Sequence, residues 1–245
     1  MKRIRVSVCM ATYNGEKYIK EQLLSILGQL DKNDEIVISD DGSTDNTLLI
    51  IESFYDKRIK LFHHKRRGAK FHLDNSTHNF EYALKQSTGD VIFLSDQDDV
   101  WLPNKVEKML EALNNNVLAV SDCKLVDDKL NVIHPSYFDQ IGVRKGIIHN
   151  LIKYTHVGCC IAFKRSLLRH AFPFPKTKVG HDLWLTFLAY YYDDVALIRE
   201  PLILFRRHND NVTTSGAKSN RSLLFKINYR LVIVWCFLKR ICFGR

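Results

Sequence analysis

Nowhere in this chain does a G-x-G-x-x-G or Walker-type glycine loop follow a strand-like run, which removes the phosphate cradle of dinucleotide-binding and P-loop proteins. The six cysteines (Cys9, Cys123, Cys159, Cys160, Cys236, Cys242) contain no C-x-x-C pair, and histidines at zinc-site spacing are missing too. Neither a disulfide framework nor a structural zinc is signalled, and a reducing cytoplasm is the expected setting. No Asp or Glu follows Asp210, whereas Lys218, Arg221, Lys226, Arg230, Lys239, Arg240 and Arg245 do. The longest uncharged apolar stretch of that tail, Leu231 to Leu238, is eight residues; spanning a bilayer takes ~20. The first residues offer no long apolar segment with a small-residue cleavage site, so no export signal is expected. Internal repeats and low-complexity segments are absent as well.

What is present suits a globular enzyme. With 245 residues, 46% of them apolar, the chain can bury one large α/β core. Its net charge of +9 looks like a nucleic-acid signature until it is located: residues 1–210 carry 29 basic against 27 acidic side chains. The excess sits in the tail, interleaved with Leu223-Leu224-Phe225, Ile227, Leu231 to Leu238, Ile241 and Phe243. That mixture matches an anionic membrane surface better than a nucleic-acid backbone, and no nucleic-acid partner is expected. The plain alternative is a helix packed on the domain or on a partner subunit.

From the start, β-type runs alternate with helical patterns: Ile4 to Met10 and Glu16 to Gln29; Glu35 to Ser39 and Asn46 to Tyr55; Lys60 to His63 and His78 to Gln86; Val91 to Leu94 and Pro103 to Leu113. Such alternation predicts βαβ units and a mostly parallel central sheet flanked by helices, a single Rossmann-like α/β domain over residues 1–215 with a helical tail over 216–245. Val106, Met109, Leu110 and Leu113 follow the spacing of one buried helix face behind Pro103. Trp184, Phe187, Leu188 and Tyr191 repeat that spacing in a helix starting near His181-Asp182. Between them, a hairpin is predicted around Asp127 to Asn131, followed by a long connection from Pro135 to Gly146.

The chemistry concentrates in Ser95-Asp96-Gln97-Asp98-Asp99-Val100-Trp101, directly after the apolar run Val91 to Leu94. Carboxylates crowded at a strand's exit repel one another unless a cation occupies the space between them. Magnesium or manganese, completed by phosphate oxygens, needs few protein ligands beyond such acids, and Asp96-x-Asp98 supplies them. Asp99 could equally be structural. A second acidic pair, Asp40-Asp41, ends the run Glu35 to Ser39, so both pairs are expected at one carboxyl edge of the sheet, where open α/β folds bind ligands. Asp40-Asp41-Gly42-Ser43 reads both as an Asx-type turn and as a nucleotide contact, the turn aiming the carboxylate. Asp182 in a helix's first turn is favoured by the helix dipole. His63-His64-Lys65-Arg66-Arg67 reads as a solvated loop.

In order, Val8 to Gly15, Asp40 to Asp45, Leu94 to Trp101, Gly158-Cys159, His181-Asp182 and Arg206-Arg207-His208 resemble the family 2 glycosyltransferases, whose GT-A fold is one nucleotide-sugar-binding α/β domain; the match covers roughly residues 4–212. Asn79-Phe80-Glu81 and Asp96 to Trp101 look like the branch of bacterial rhamnosyltransferases of surface polysaccharides. The resemblance implies that Ala11 and Tyr13 line a pyrimidine pocket and that Asp41 accepts a hydrogen bond from the base. It implies that Asp96 binds ribose or metal, Asp98 is the principal metal ligand, and His208 completes the Mn2+ or Mg2+ shell. Gly158 then belongs to an acceptor-side loop, and Asp182 is the catalytic base. The donor would be a UDP- or dTDP-sugar and the acceptor a glycan or polyprenyl-diphosphate-linked oligosaccharide, with the enzyme cytoplasmic and peripheral at the membrane. The reading Gly180-His181-Asp182, where many members have Glu-Asp, leaves the base resting on Asp182 alone. No Gln-x-x-Arg-Trp run of processive members appears, so single additions are expected. A nucleotidyltransferase and a noncatalytic membrane adaptor remain as alternatives.

Overall fold

The computed structural model describes residues 3–64, 72–176, 179–207 and 222–244. Along the chain lie β1 (Val6–Thr12), α1 (Ile19–Leu27), β2 (Glu35–Asp40), α2 (Thr47–Glu52), β3 (Ile59–His63), α3 (His72–Gln86), β4 (Val91–Ser95), β5 (Val100–Trp101), α4 (Lys105–Ala112), β6 (Leu118–Val126), β7 (Val132–His134), α5 (Tyr137–Ile141), α6 (Ile147–Ile152), β8 (Ile161–Lys164), α7 (Leu168–Ala171), α8 (His181–Tyr192), β9 (Val195–Arg206) and α9 (Leu223–Phe243).

The near-continuous apolar runs of β1, β2 and β4 are buried along almost their whole length, as strands covered on both faces must be. They form the parallel half of the sheet in the order β3-β2-β1-β4. The second half continues as β8-β6-β9-β5, with β7 beside β6. There β8 runs antiparallel to both β4 and β6, β5 runs antiparallel to β9, and β6 and β9 are parallel. The mostly parallel sheet expected from the sequence is parallel throughout the half that carries the nucleotide-type motifs and in the β6–β9 pair, and antiparallel elsewhere.

The helices bury the faces their spacing predicts. Ile19, Leu23 and Ile26 of α1 are fully buried, each worth about 1.5–3 kcal/mol relative to an exposed side chain. Val106 and Met109 of α4 and Leu113 behind it do the same. The predicted hairpin is present, with Val126 opposite Val132 and Leu130 at φ 65° in the turn, and the connection after it contains the short helix α5, capped by Ser136 Oγ. Helix α8 departs from a one-sided stripe: Leu183, Leu185, Thr186 and Ala189 are buried along with Trp184, Phe187 and Leu188. The reason is that α3, α6, α7 and β9 pack around it, while α9 lies over the predicted stripe itself. Phe237 packs edge-on against Phe187 and Tyr191, and the Arg240 guanidinium lies 5.4 Å from the Trp184 ring centroid. The boundary expected at 215/216 lies outside the described residues.

Candidate active site

Parallel pairing puts the carboxyl ends of β2, β1 and β4 on one edge, with Thr12 opposite Asp40 and Met10 opposite Ser95. Three loops meet there. Gln97, between the two aspartates of the triplet, accepts a hydrogen bond from Tyr13 N at 2.9 Å and donates to Tyr13 O at 3.1 Å, clamping the end of β1 to the acidic loop. Gly15 permits this closeness: a Cβ there would stand 2.5 Å from Gln97 Oε1. Asn14 knits the β1 loop to the β2 loop, its amide N donating to Ser43 Oγ and its Oδ1 accepting from Thr44 N. Tyr13 is left 40% exposed beside half-buried Ala11, an open ring at the rim.

Asp40 and Asp41 take different parts. The Asp40 carboxylate accepts from Thr12 Oγ1, Gly42 N, Ser43 N and Ser43 Oγ, and Gly42 stands at φ 84°. This is the Asx-type turn expected from the sequence. Its neighbour Asp41 pairs with His64 Nδ1 at 2.9 Å. His64 is therefore part of the site's wall, where the sequence suggested a solvated loop.

Arg206, at the end of β9, fastens the acidic loop from below. It is 2% exposed; its backbone N donates to Asp99 Oδ1, its Nε to Asp98 O at 2.8 Å, its Nη1 to Asp128 O and its Nη2 to Glu21 Oε2. Gln22 adds a second tie, donating to Ser95 Oγ and Asp96 O. Asp99 is fully buried, its Oδ2 has no hydrogen-bond partner among the described residues, and the Cys159 thiol lies against the carboxyl.

Ligand atoms of Asp96, Asp99 and Cys159 lie within 4.8 Å of one another. Of the expected metal trio Asp96, Asp98 and His208, the grouping contains Asp96. Asp98 acts on both Asp96 and Asp99 through its charge, and His208 lies outside the described residues. Burial, Asp98 and Asp182 push the Asp96 carboxyl up to about 8, and burial with the neighbouring Asp98 and Asp96 raises Asp99 well above the carboxylate range. Carboxyls raised by burial and then by one another's charge, with a buried oxygen lacking a strong donor, are a site suited to a hard cation. Beneath them the Lys105 ammonium, fully buried, reaches Cys159 O at 3.5 Å, and burial lowers its pKa.

The opposite wall is the start of α8. Asp182 stands in its first turn and accepts Leu183 N at 2.8 Å through Oδ1, and burial raises its carboxyl to about 6. Gly158 lies against it: a Cβ there would sit 3.3 Å from His181 Nε2 and 3.6 Å from Asp182 Cβ. The neighbouring His181 stacks on Phe80 at 4.0 Å between centroids and is kept neutral by burial, its pKa lowered to about 3. Asp182 and Asp96 are close enough for the charge of one to raise the other. The structure thus brings Asp96, Asp98, Asp99, Asp182 and Gly158 to one cleft, with Ala11, Tyr13 and Asp41 along its β1–β2 margin. Gln97, Gln22, His64 and Arg206 complete it, and their partners lie too far along the chain to be read from local spacing.

Known proteins resemble this chain in sequence and in fold. The sequence profile described as glycosyl transferase family 2 matches residues 7–172. A UDP-Glc:alpha-D-GlcNAc-diphosphoundecaprenol beta-1,3-glucosyltransferase, WfgD of Escherichia coli, is 30% identical over 186 residues, covering 75% of this chain and 69% of the relative. The dTDP-rhamnosyl transferase RfbG of Shigella flexneri is 31% identical over 90% of this chain and 77% of its own. The crystal structure of S. aureus TarS 1-349 in complex with UDP-GlcNAc superposes with a TM-score of 0.68 at 20% identity, over 94% of this chain and 66% of that one. A mannosyltransferase from Pyrobaculum calidifontis in complex with GDP-Man and Mn2+ gives 0.57 at 21% identity, and the chain again spans 66% of it. With the GT-A fold in place and the profile covering well over half of its length, this chain belongs to family 2 of the glycosyltransferases.

Proposed function

We propose that the protein moves one sugar at a time from a UDP- or dTDP-sugar, dTDP-L-rhamnose among the candidates, to a hydroxyl of a glycan or polyprenyl-diphosphate-linked oligosaccharide, inverting the anomeric centre, in bacterial surface polysaccharide synthesis. The observation that carries this reading is Asp182, a carboxyl raised to about 6 across the cleft from the acidic loop. It is a base poised near neutrality, where general base catalysis works best. The relatives named for a UDP-sugar and a dTDP-sugar support the donor class.

Tyr13 and Ala11 hold the pyrimidine, and Asp41, oriented by His64, accepts from the base. Asp96 and Asp98, with His208 as a further ligand, would hold Mn2+ or Mg2+, and such an ion neutralises charge on the departing nucleoside diphosphate. Asp182 takes the acceptor's hydroxyl proton, the freed oxygen bonds to the anomeric carbon from the far side, and the carbon–oxygen bond to the diphosphate breaks with its electron pair on the leaving group. Gly158 keeps the space beside Asp182 open for the acceptor.

The test is turnover and donor affinity of Asp182→Asn. Transfer is expected to fall by about 10²–10⁴-fold while calorimetric binding of the nucleotide sugar stays unchanged. Transfer at the original rate would place the base elsewhere, and pyrophosphate release from a nucleoside triphosphate would replace the reading with a nucleotidyltransferase. A thermal-shift panel of nucleotide sugars with and without manganese identifies the donor.

A further inference from the structure

Helix α9 is apolar on two faces, and the domain covers one. The inner face brings Tyr229, Ile233, Cys236 and Phe237 to the core, with Ile233 at 2% exposed. Arg240 holds that docking by donating to the carbonyls of His170, Phe172 and Pro173. On the outer face, Leu224, Ile227, Leu231, Trp235 and Leu238 are 80, 46, 62, 67 and 49% exposed. Their spacing of three, four, four and three residues makes one continuous stripe along the helix. Near its N-terminal half, Arg230 donates to the carbonyls of Leu151 and Ile152, and on α6 the exposed Ile148 and Ile152 extend the apolar surface.

Charge identifies the occupant. Residues 140–245 carry 18 basic against 5 acidic side chains, with no acid between Asp139 and Asp182 and none in α9, whereas residues 1–139 carry 18 against 22. Arg144, Lys153 and Lys239 are exposed on this half. No helix among the described residues is long and apolar enough to cross a membrane. An apolar stripe of large residues within a strongly basic half is the composition of a helix lying in the plane of an anionic bilayer. A second copy would set the same positive half against itself.

We propose that the outer face of α9, continued by Ile148 and Ile152, seats the protein on an anionic lipid surface. From α6 the chain runs through Tyr154 to Val157 directly into Gly158 beside Asp182. The seat is therefore tied to the acceptor side of the cleft, a placement that rests on the lipid-linked acceptor proposed above.

The experiment is flotation of the full chain with phosphatidylcholine vesicles, with and without phosphatidylglycerol, alongside tryptophan emission. Trp101 and Trp184 are 3 and 1% exposed, so a lipid-induced change reports Trp235. Wild type is expected to float with the anionic vesicles and shift to the blue. Leu231→Glu and Trp235→Glu should each lose about tenfold in partitioning with unchanged melting temperature and unchanged transfer to a soluble acceptor. Wild type that stays unbound with anionic vesicles overturns the proposal, and so does a dimer that Leu231→Glu dissociates, since the stripe is then a contact between copies. Vesicle binding without sugar transfer would leave the seat standing and remove the proposed reaction; transfer without vesicle binding would do the reverse.

Discussion

Gln97 ties the proposed nucleotide edge together with one amide, so its loss should be felt in binding before stability. Gln97→Ala removes two hydrogen bonds of the half-exposed kind, about 1 kcal/mol or less of stability in sum. Untethering Tyr13 is expected to raise the donor Kd severalfold, by calorimetry, with a urea midpoint near that of wild type. An unchanged Kd would separate the clamp from donor binding. The proposed base, Asp182, makes a pH prediction. Because burial holds the Asp182 carboxyl at about 6, transfer at saturating donor should be flat above neutrality and fall tenfold per pH unit below about 6; a decline beginning near 4 would mean the base is solvated. At this scale the sequence was uneven. The placement of Asp96 and Asp98 after an apolar strand and of Asp182 in a helix's first turn was legible from spacing, whereas the roles given to Asp41 and Asp182 came from the family resemblance. Gln97 was not legible, since its partner Tyr13 lies 84 residues away. Asp99, readable as structural, proved to be that and also part of the carboxylate cluster.

Among the elements, the parallel half of the sheet owes its register to a latch at its other edge. Gly89 N donates to Ser7 Oγ, Ser7 Oγ to Glu35 Oε1, and Lys60 meets Glu35 Oε2. Burial pushes the Glu35 carboxyl up, but the hydrogen bonds from Lys60, Ser7 and Thr88 outweigh it and leave the pKa at about 2. A Cβ on Gly89 would stand 2.6 Å from Ser7 N and 2.7 Å from the Val6 carbonyl carbon. Both are backbone atoms, so Gly89→Ala should destabilise by about 1–3 kcal/mol or more, read in urea unfolding. Gly15→Ala meets only the movable end of Gln97 and should act on donor binding instead. Equal losses of stability for the two variants would refute the distinction. The strands and helices with clean periodicity were readable from the chain. The two-residue β5 was not, because its pairing with Leu204 and Ile203 is set by β9, and the all-round burial of α8 waited on knowing that α3, α6, α7 and β9 surround it.

For the molecule as a whole, stability should follow the titration of the cleft. Asp96, raised to about 8 in the folded state, binds a proton there that the unfolded chain has already lost, so between about pH 6.5 and 8 the metal-free protein loses stability as pH rises. Below 6.5 the buried neutral His156 and His181, lowered to about 4 and 3, oppose the raised carboxyls of Asp96, Asp99 and Asp182, since the unfolded chain takes up protons that these histidines refuse. The melting temperature of the metal-free protein is expected to fall from pH 6.5 to 8, and Mn2+ added at pH 8 should restore what was lost. A profile flat from 6.5 to 8, unaffected by the cation, would dissolve the carboxylate cluster as an electrostatic unit.

The Arg206 buckle also sets an order of events during synthesis. Residues 98 and 99 are translated more than a hundred positions before the guanidinium and amide that fasten them. A ribosome that has released β1 through α8 has made every aspartate of the cleft and still lacks its fastener. The catalytic edge therefore becomes competent only when β9 has cleared the exit tunnel, and a stop codon introduced ahead of it should yield chains that keep the parallel half and handle no nucleotide sugar.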